Sequence, residues 1–70
     1  MKIVLCPNPF RDKGLKAAKS SETLLRAAGV HTECCFPFPV DKNNIGEIDP
    51  TIKIKEMKTE LPDADFLVCF

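Results

Sequence analysis

Residues 6–16 read CPNPFRDKGLK, and Asn8, Arg11, Asp12 and Lys13 in that stretch are residue types that can hold an anionic ligand. A guanidinium and an ammonium neutralise phosphoryl oxygens, and an amide orients a phosphate or a ribose hydroxyl. Phosphoryl transfer is catalysed largely by positioning and by neutralising charge on oxygens, so such a loop suits a nucleotide. Two readings of it stand side by side. In one, the backbone N–H groups of Asn8 and of Phe10 through Gly14 are free of a strand ladder and face an anion. In the other, Pro7 and Pro9 stop a strand, Asp12 caps a helix and the cations are solvated. A glycine-rich phosphate loop needs more than the single Gly14 for close backbone approach, which favours the turn.

The charge pattern makes this loop local in its effect. Ten Lys and Arg balance ten Asp and Glu over 70 residues, which argues against a general nucleic-acid or membrane-surface binder. Between positions 11 and 26, however, Arg11, Lys13, Lys16, Lys19 and Arg26 face only Asp12 and Glu22, so this segment is electropositive.

The other reactive side chains carry less chemistry. Cys6, Cys34, Cys35 and Cys69 contain no Cys-x-x-Cys pair and no secreted disulfide framework, and they read as buried thiols in a reducing cytoplasm. Cys6 and Cys69 are expected as sheet neighbours, as apolar thiols rather than a disulfide. His31, Glu33 and Cys35 share one strand face, but side chains spaced by two along a strand diverge too little to surround a metal ion. Met1 leads into a strand pattern without the regions of a signal peptide, and no apolar run is long enough to span a bilayer.

The elements around these residues follow from periodicity. Lys2-Ile3-Val4-Leu5-Cys6 predicts a buried strand ended by Pro-Asn-Pro. From Leu15 to Ala28, Ala17, Ala18, Ser21, Leu24, Leu25 and Ala28 fall on one side of a helical wheel, Glu22 and Arg26 form an i, i+4 pair, and Gly29 supplies the stop. Val30 to Phe36 alternates, as a half-exposed edge strand would. Residues 37–49 read as a loop. Asp49-Pro50 can open a short helix carrying Ile54, Met57 and Leu61, although Ile52 and Ile54 also permit an extended segment. Pro62-Asp63-Ala64-Asp65 predicts a turn and Phe66 to Phe70 a fully apolar strand.

Strand, helix, strand, crossover, strand implies a parallel α/β unit. The expected architecture is a three-layer, Rossmann-like or flavodoxin-like half with strands in the order 2-1-3 and crossover helices on both faces. The two fully apolar strands should be central. In such sheets a ligand sits outside the carboxyl ends of the strands where the order reverses. Pro7 to Gly14 would form one wall of that crevice, and whatever follows Phe70 the other.

The opening strand with PNPFRDKGLK, together with LPDADFLVCF near the other end, resembles the amino-terminal segment of bacterial NAD kinases over essentially all 70 residues. In that family the corresponding last strand runs into a Gly-Gly-Asp-Gly motif. The resemblance implies that residues 1–70 are the amino-terminal α/β fragment of a larger two-domain cytoplasmic enzyme. That enzyme phosphorylates the 2′-hydroxyl of the adenosine ribose of NAD with ATP, or polyphosphate, and a divalent metal such as magnesium. It implies NAD and ATP as partners, no nucleic acid or membrane, and a homo-oligomer at full length. It carries no catalytic residue onto this chain, because the catalytic aspartate belongs to the glycine-rich motif, and the fragment alone is expected to be inactive. Asn8, Arg11, Asp12 and Lys13 are the expected peripheral nucleotide contacts. The alternatives are a diacylglycerol-kinase-type lipid kinase, which also has an Asn-Pro turn after its first strand, and a non-catalytic flavodoxin-like module. A receiver domain is disfavoured because Cys6-Pro7-Asn8 stands where it needs an acidic pair.

Overall fold

The computed structural model describes residues 1–37 and 51–70. They form a mixed α/β fold with a four-stranded parallel sheet and two helices. The apolar run Lys2–Cys6 is β1, ended by Pro7. A 3₁₀ turn, Lys13–Leu15, leads into α1, Lys16–Ala27. β2 is His31–Phe36, β3 is Ile54–Glu56, α2 is Met57–Glu60 and β4 is Phe66–Cys69, with a second 3₁₀ turn at Leu61–Asp63. The expected loop, apart from Pro37, and the Asp49-Pro50 helix start lie outside the described residues. No helix among the described residues is long and apolar enough to cross a membrane.

The sheet order is β3-β2-β1-β4, so the expected three-stranded order 2-1-3 is replaced by a four-stranded one. The added strand is β3, where helical spacing had been read. The extended alternative holds there, because Ile52 is buried and Ile54 pairs with Cys34. β3 also changes the standing of its neighbours. β2, expected at the edge, is interior, and Thr32, Cys34 and Cys35 on it are fully buried or nearly so. β4, expected to be central, is the edge strand opposite β3, with Phe66, Leu67 and Val68 exposed.

One face of the sheet carries the core. Ile3, Leu5 and Cys34 pack with Leu15 and Ala18 of the α1 segment and with Ile52, and Leu25, Val30, Phe36 and Ile54 close over them. Along parallel strands alternate side chains share a face, so Lys2, Val4, Cys6 and Cys35 project to the other side. There Lys2 Nζ meets Glu60 of α2 at 3.5 Å. α1 ends where Gly29 takes φ +83°, a conformation that permits the turn into β2.

Among the described residues no buried side-chain nitrogen or oxygen lacks a hydrogen-bond partner. The expected Glu22–Arg26 pair is not made. Arg26 donates from Nε to Thr32 Oγ1 and from Nη2 to the Thr32 carbonyl, both at 2.9 Å. Glu22, nearly buried, accepts from Lys19 Nζ at 3.1 Å and from the Cys34 thiol at 3.7 Å. Burial first, and then the Glu22 carboxylate, push the Cys34 thiol up from the ordinary range near 9 to about 12.

The amino end of the sheet is tied by Lys2. Its N–H donates to Asp65 Oδ2 at 2.8 Å, its carbonyl accepts from Asp65 N–H at 2.8 Å, and Nζ pairs with Asp63 at 2.6 Å. The hydrogen bond to Asp63 holds the Lys2 ammonium above its ordinary range and the Asp63 carboxyl below its own.

Two outcomes follow from this packing. Leu15→Ala empties a fully buried position and should destabilise the fold by about 2–5 kcal/mol in chemical denaturation. Because the folded state holds the Cys34 proton more tightly than the unfolded chain, that contribution is complete below about pH 9 and is lost as the pH climbs toward 12. Denaturation midpoints across that range should fall for the parent and fall less for Cys34→Ala; parallel curves would show that Cys34 is not the titrating group.

Candidate functional site

The carboxyl ends of β1 and β4 meet side by side. Cys6 and Cys69 are register partners, and the Phe70 N–H donates to the Cys6 carbonyl at 3.1 Å. Pro7, directly after Cys6, is fully buried, so the loop leaves the sheet from a fixed point. Asp63 and Asp65 lie at the opposite, amino end, beside Lys2.

The loop is built around Asn8 and Asp12. Asn8 Oδ1 accepts from Phe10 N–H at 3.0 Å, the side-chain turn that asparagine favours between prolines. The Asn8 carbonyl accepts from Arg11 N–H at 3.2 Å and Asp12 N–H at 2.8 Å. The Asp12 carbonyl then takes Leu15 N–H at 2.8 Å. The amides of Phe10, Arg11 and Asp12, read as available to an anion, are therefore turned inward. Sequence showed only that they lacked a strand ladder, and not that Asn8 would supply both acceptors.

Asp12 reaches past the turn to α1. Gly14 at φ +72° and Leu15 at φ +58° swing the chain back, so that the Asp12 carboxylate accepts from Ala17 and Ala18 N–H, each at 3.0 Å. The helix thus starts at Lys16, one residue later than expected, and is capped from three residues before its first turn's flank at Leu15. A carboxylate already occupies the positive end of the helix dipole.

Of the four expected contact residues, Asn8 and Asp12 hold the loop together, whereas Arg11 and Lys13 are exposed. No ion pair among the described residues involves Arg11, Lys13 or Lys16. Of the other cations in that segment, Lys19 is paired with Glu22, and Arg26, still charged, is held against Thr32 of β2. What the loop can offer an anion is two long cationic side chains on a rigid turn, beside the exposed ring of Phe10.

Other concave surfaces lie elsewhere. A shallow apolar recess of about 480 Å³ is formed by Pro37, Met57, Lys58, Leu61 and Pro62. A polar recess of about 310 Å³ brings Arg26, Lys53 and Lys55 together with Glu22 and Glu33, but Arg26 and Glu22 already have partners there. Neither recess includes a residue of the loop. The exposed His31 ring lies 3.4 Å from Glu33, and no group of three His, Cys, Asp or Glu side chains among the described residues could hold a metal ion.

Sequence reasoning placed the thiols of Cys6 and Cys69 together but took both as buried. Cys69 is exposed and Cys6 half-buried, because β4 is an edge strand. Comparison with family models, with curated proteins and with solved structures finds no match to this chain.

The cap gives a direct test of the Asp12 assignment. Asp12→Ala should cost about 1 kcal/mol of stability in urea denaturation, with Asp12→Asn recovering part of it. No change in either variant would show that Asp12 is free for another role.

Proposed function

We propose that this chain is the amino-terminal part of an NAD kinase, a cytoplasmic phosphotransferase that phosphorylates the 2′-hydroxyl of the adenosine ribose of NAD with ATP or polyphosphate. Its fold would then be the first half of a three-layer, Rossmann-like nucleotide-binding domain. The observation that carries this reading is the adjacency of β1 and β4, in parallel register from Ile3↔Phe66 to Cys6↔Cys69. That pairing puts the PNPFRDKGLK loop next to Phe70, the place where a glycine-rich phosphate motif would emerge in an open α/β sheet. The resemblance of the two end segments to the family supplies the chemistry.

Within this reading the roles divide. Arg11 and Lys13 are the groups that would face the phosphates of a nucleotide from the rim of the crevice. Asn8 and Asp12 position them by fixing the turn and the start of α1. The described residues offer no ligand set for a divalent metal, so the metal that assists phosphoryl transfer would be held outside them. In this reading the proton acceptor for the ribose hydroxyl is supplied from outside these residues, and residues 1–70 alone should bind ATP weakly and transfer nothing.

The decisive experiment reads the coding frame past Phe70 and assays the encoded protein for conversion of NAD to NADP, detected with an NADP-specific dehydrogenase. Gly-Gly-Asp-Gly directly after Phe70, with ATP- or polyphosphate-dependent formation of NADP, is the expected result. A stop codon or an unrelated continuation, or a purified protein that forms no NADP, overturns the proposal. In the active protein, Arg11→Ala with Lys13→Ala should raise KM for the phosphoryl donor severalfold and leave the fold intact by circular dichroism.

A further inference from the structure

The carboxyl ends of β1 and β4 carry a feature that phosphoryl transfer does not use. Cys6 and Cys69 occupy the same level of adjacent parallel strands, and in-register partners project to the same face. Adjacent strands lie about 4.8 Å apart, inside the roughly 4.4–6.8 Å that a disulfide spans between Cα atoms, and closure has to draw the two Cβ atoms in to about 3.8 Å. The Phe70 N–H bond to the Cys6 carbonyl, at 3.1 Å, holds the two strands together beyond the cysteines. Burial, and then the neighbouring Cys69 thiol, push the Cys6 thiol up.

We propose that Cys6 and Cys69 form a reversible dithiol–disulfide pair that a low-molecular-weight disulfide, such as oxidised glutathione, closes within one molecule. The order of events follows from exposure. Cys69 is the exposed thiol and reacts first: its thiolate attacks one sulfur of the small disulfide, that S–S bond breaks, and one small thiolate leaves. Cys6, half-buried beside it, then loses its proton and attacks the Cys69 sulfur of the mixed disulfide, and the second small thiolate leaves. Two protein thiols have given up two electrons and two protons, and the small disulfide has become two thiols.

The other cysteines differ from Cys69 in face or in access. Cys34 projects to the opposite face, against Glu22. Cys35 is fully buried, so an incoming disulfide cannot reach it while the sheet is intact. Closing the bond would staple β4 to β1 at the point where the 7–14 loop leaves the sheet. The inference stands on strand register and exposure, and not on the proposed kinase activity.

Incubation of the native chain with glutathione buffers of graded redox ratio, followed by acid quenching and tryptic mapping without reduction, tests it. The expected product is a monomer with its free thiols reduced from four to two and with peptide 3–11 joined to peptide 59–70. An excess of reduced glutathione should reopen it. Cys69→Ser, a change at an exposed position, should abolish the linkage and leave Cys6 unmodified, and Cys34→Ser should leave the linkage intact. Stable glutathione on Cys69 with Cys6 still free, a Cys69 to Cys69 dimer, or a link from Cys6 to peptide 27–42 would each overturn the proposal.

Discussion

A lysine at the second position sets the register on which the rest of the sheet depends. Lys2 is nearly buried, and an ammonium in that state is tolerated only when charge and hydrogen bonds surround it. The segment before β4 provides both: Asp63 and Glu60 face Nζ, while Asp65 exchanges hydrogen bonds with the Lys2 backbone on both sides of its peptide unit. Once Asp65 is fixed against Lys2, Phe66 must fall beside Ile3 and Cys69 beside Cys6. The hydrogen bonds and ion pairs at one end of the sheet thereby determine which groups meet at the other.

At that other end a second constraint operates, and it is conformational. Leu15 adopts a left-handed backbone that disfavours any residue with a Cβ by roughly 1–2 kcal/mol, and it follows Gly14 in the same region. Complete burial of the leucine side chain, about 1.5–3 kcal/mol, offsets this. The reversal swings the start of α1 over the Asp12 carboxylate. Loop rigidity and helix initiation are thus one device, in which Asn8 gathers the amides before Asp12 and Asp12 gathers those after it. Such a loop presents side-chain cations from a fixed frame, unlike a glycine-rich loop that offers its backbone.

How much of this could be read from residue order depends on the range of the forces involved. β1, α1 and β4 were legible because each is a long enough run of one periodicity with a breaker beside it, Pro7, Gly29 and Pro62 respectively. β3 was not, since three residues cannot separate helical from extended spacing, and with it went the interior position of β2 and the outer position of β4. The adjacency of β1 and β4 was legible from topology rules, whereas the fate of the loop amides was not, because it turns on whether the side-chain and backbone oxygens of Asn8 point inward. The partners of Lys2 were hidden for a related reason: a lysine opening an apolar run looks like a solvated end until residues 60–65 are brought to it from the far end of the sequence.

The two borders of the sheet differ in a way that gives it a direction of lateral growth. β3 is three residues long and is flanked or occupied by Lys53, Lys55 and Glu56, all exposed, so a further strand there would have to desolvate alternating charges. β4 carries Phe66, Leu67, Val68 and Cys69 with no charge and no proline among them, and among the described residues its outer backbone has no strand beside it. Charge protects one border from recruitment, and the other is chemically ready to template the next strand. The sheet is therefore a vectorial object, able to be widened beyond β4 and resistant to widening beyond β3.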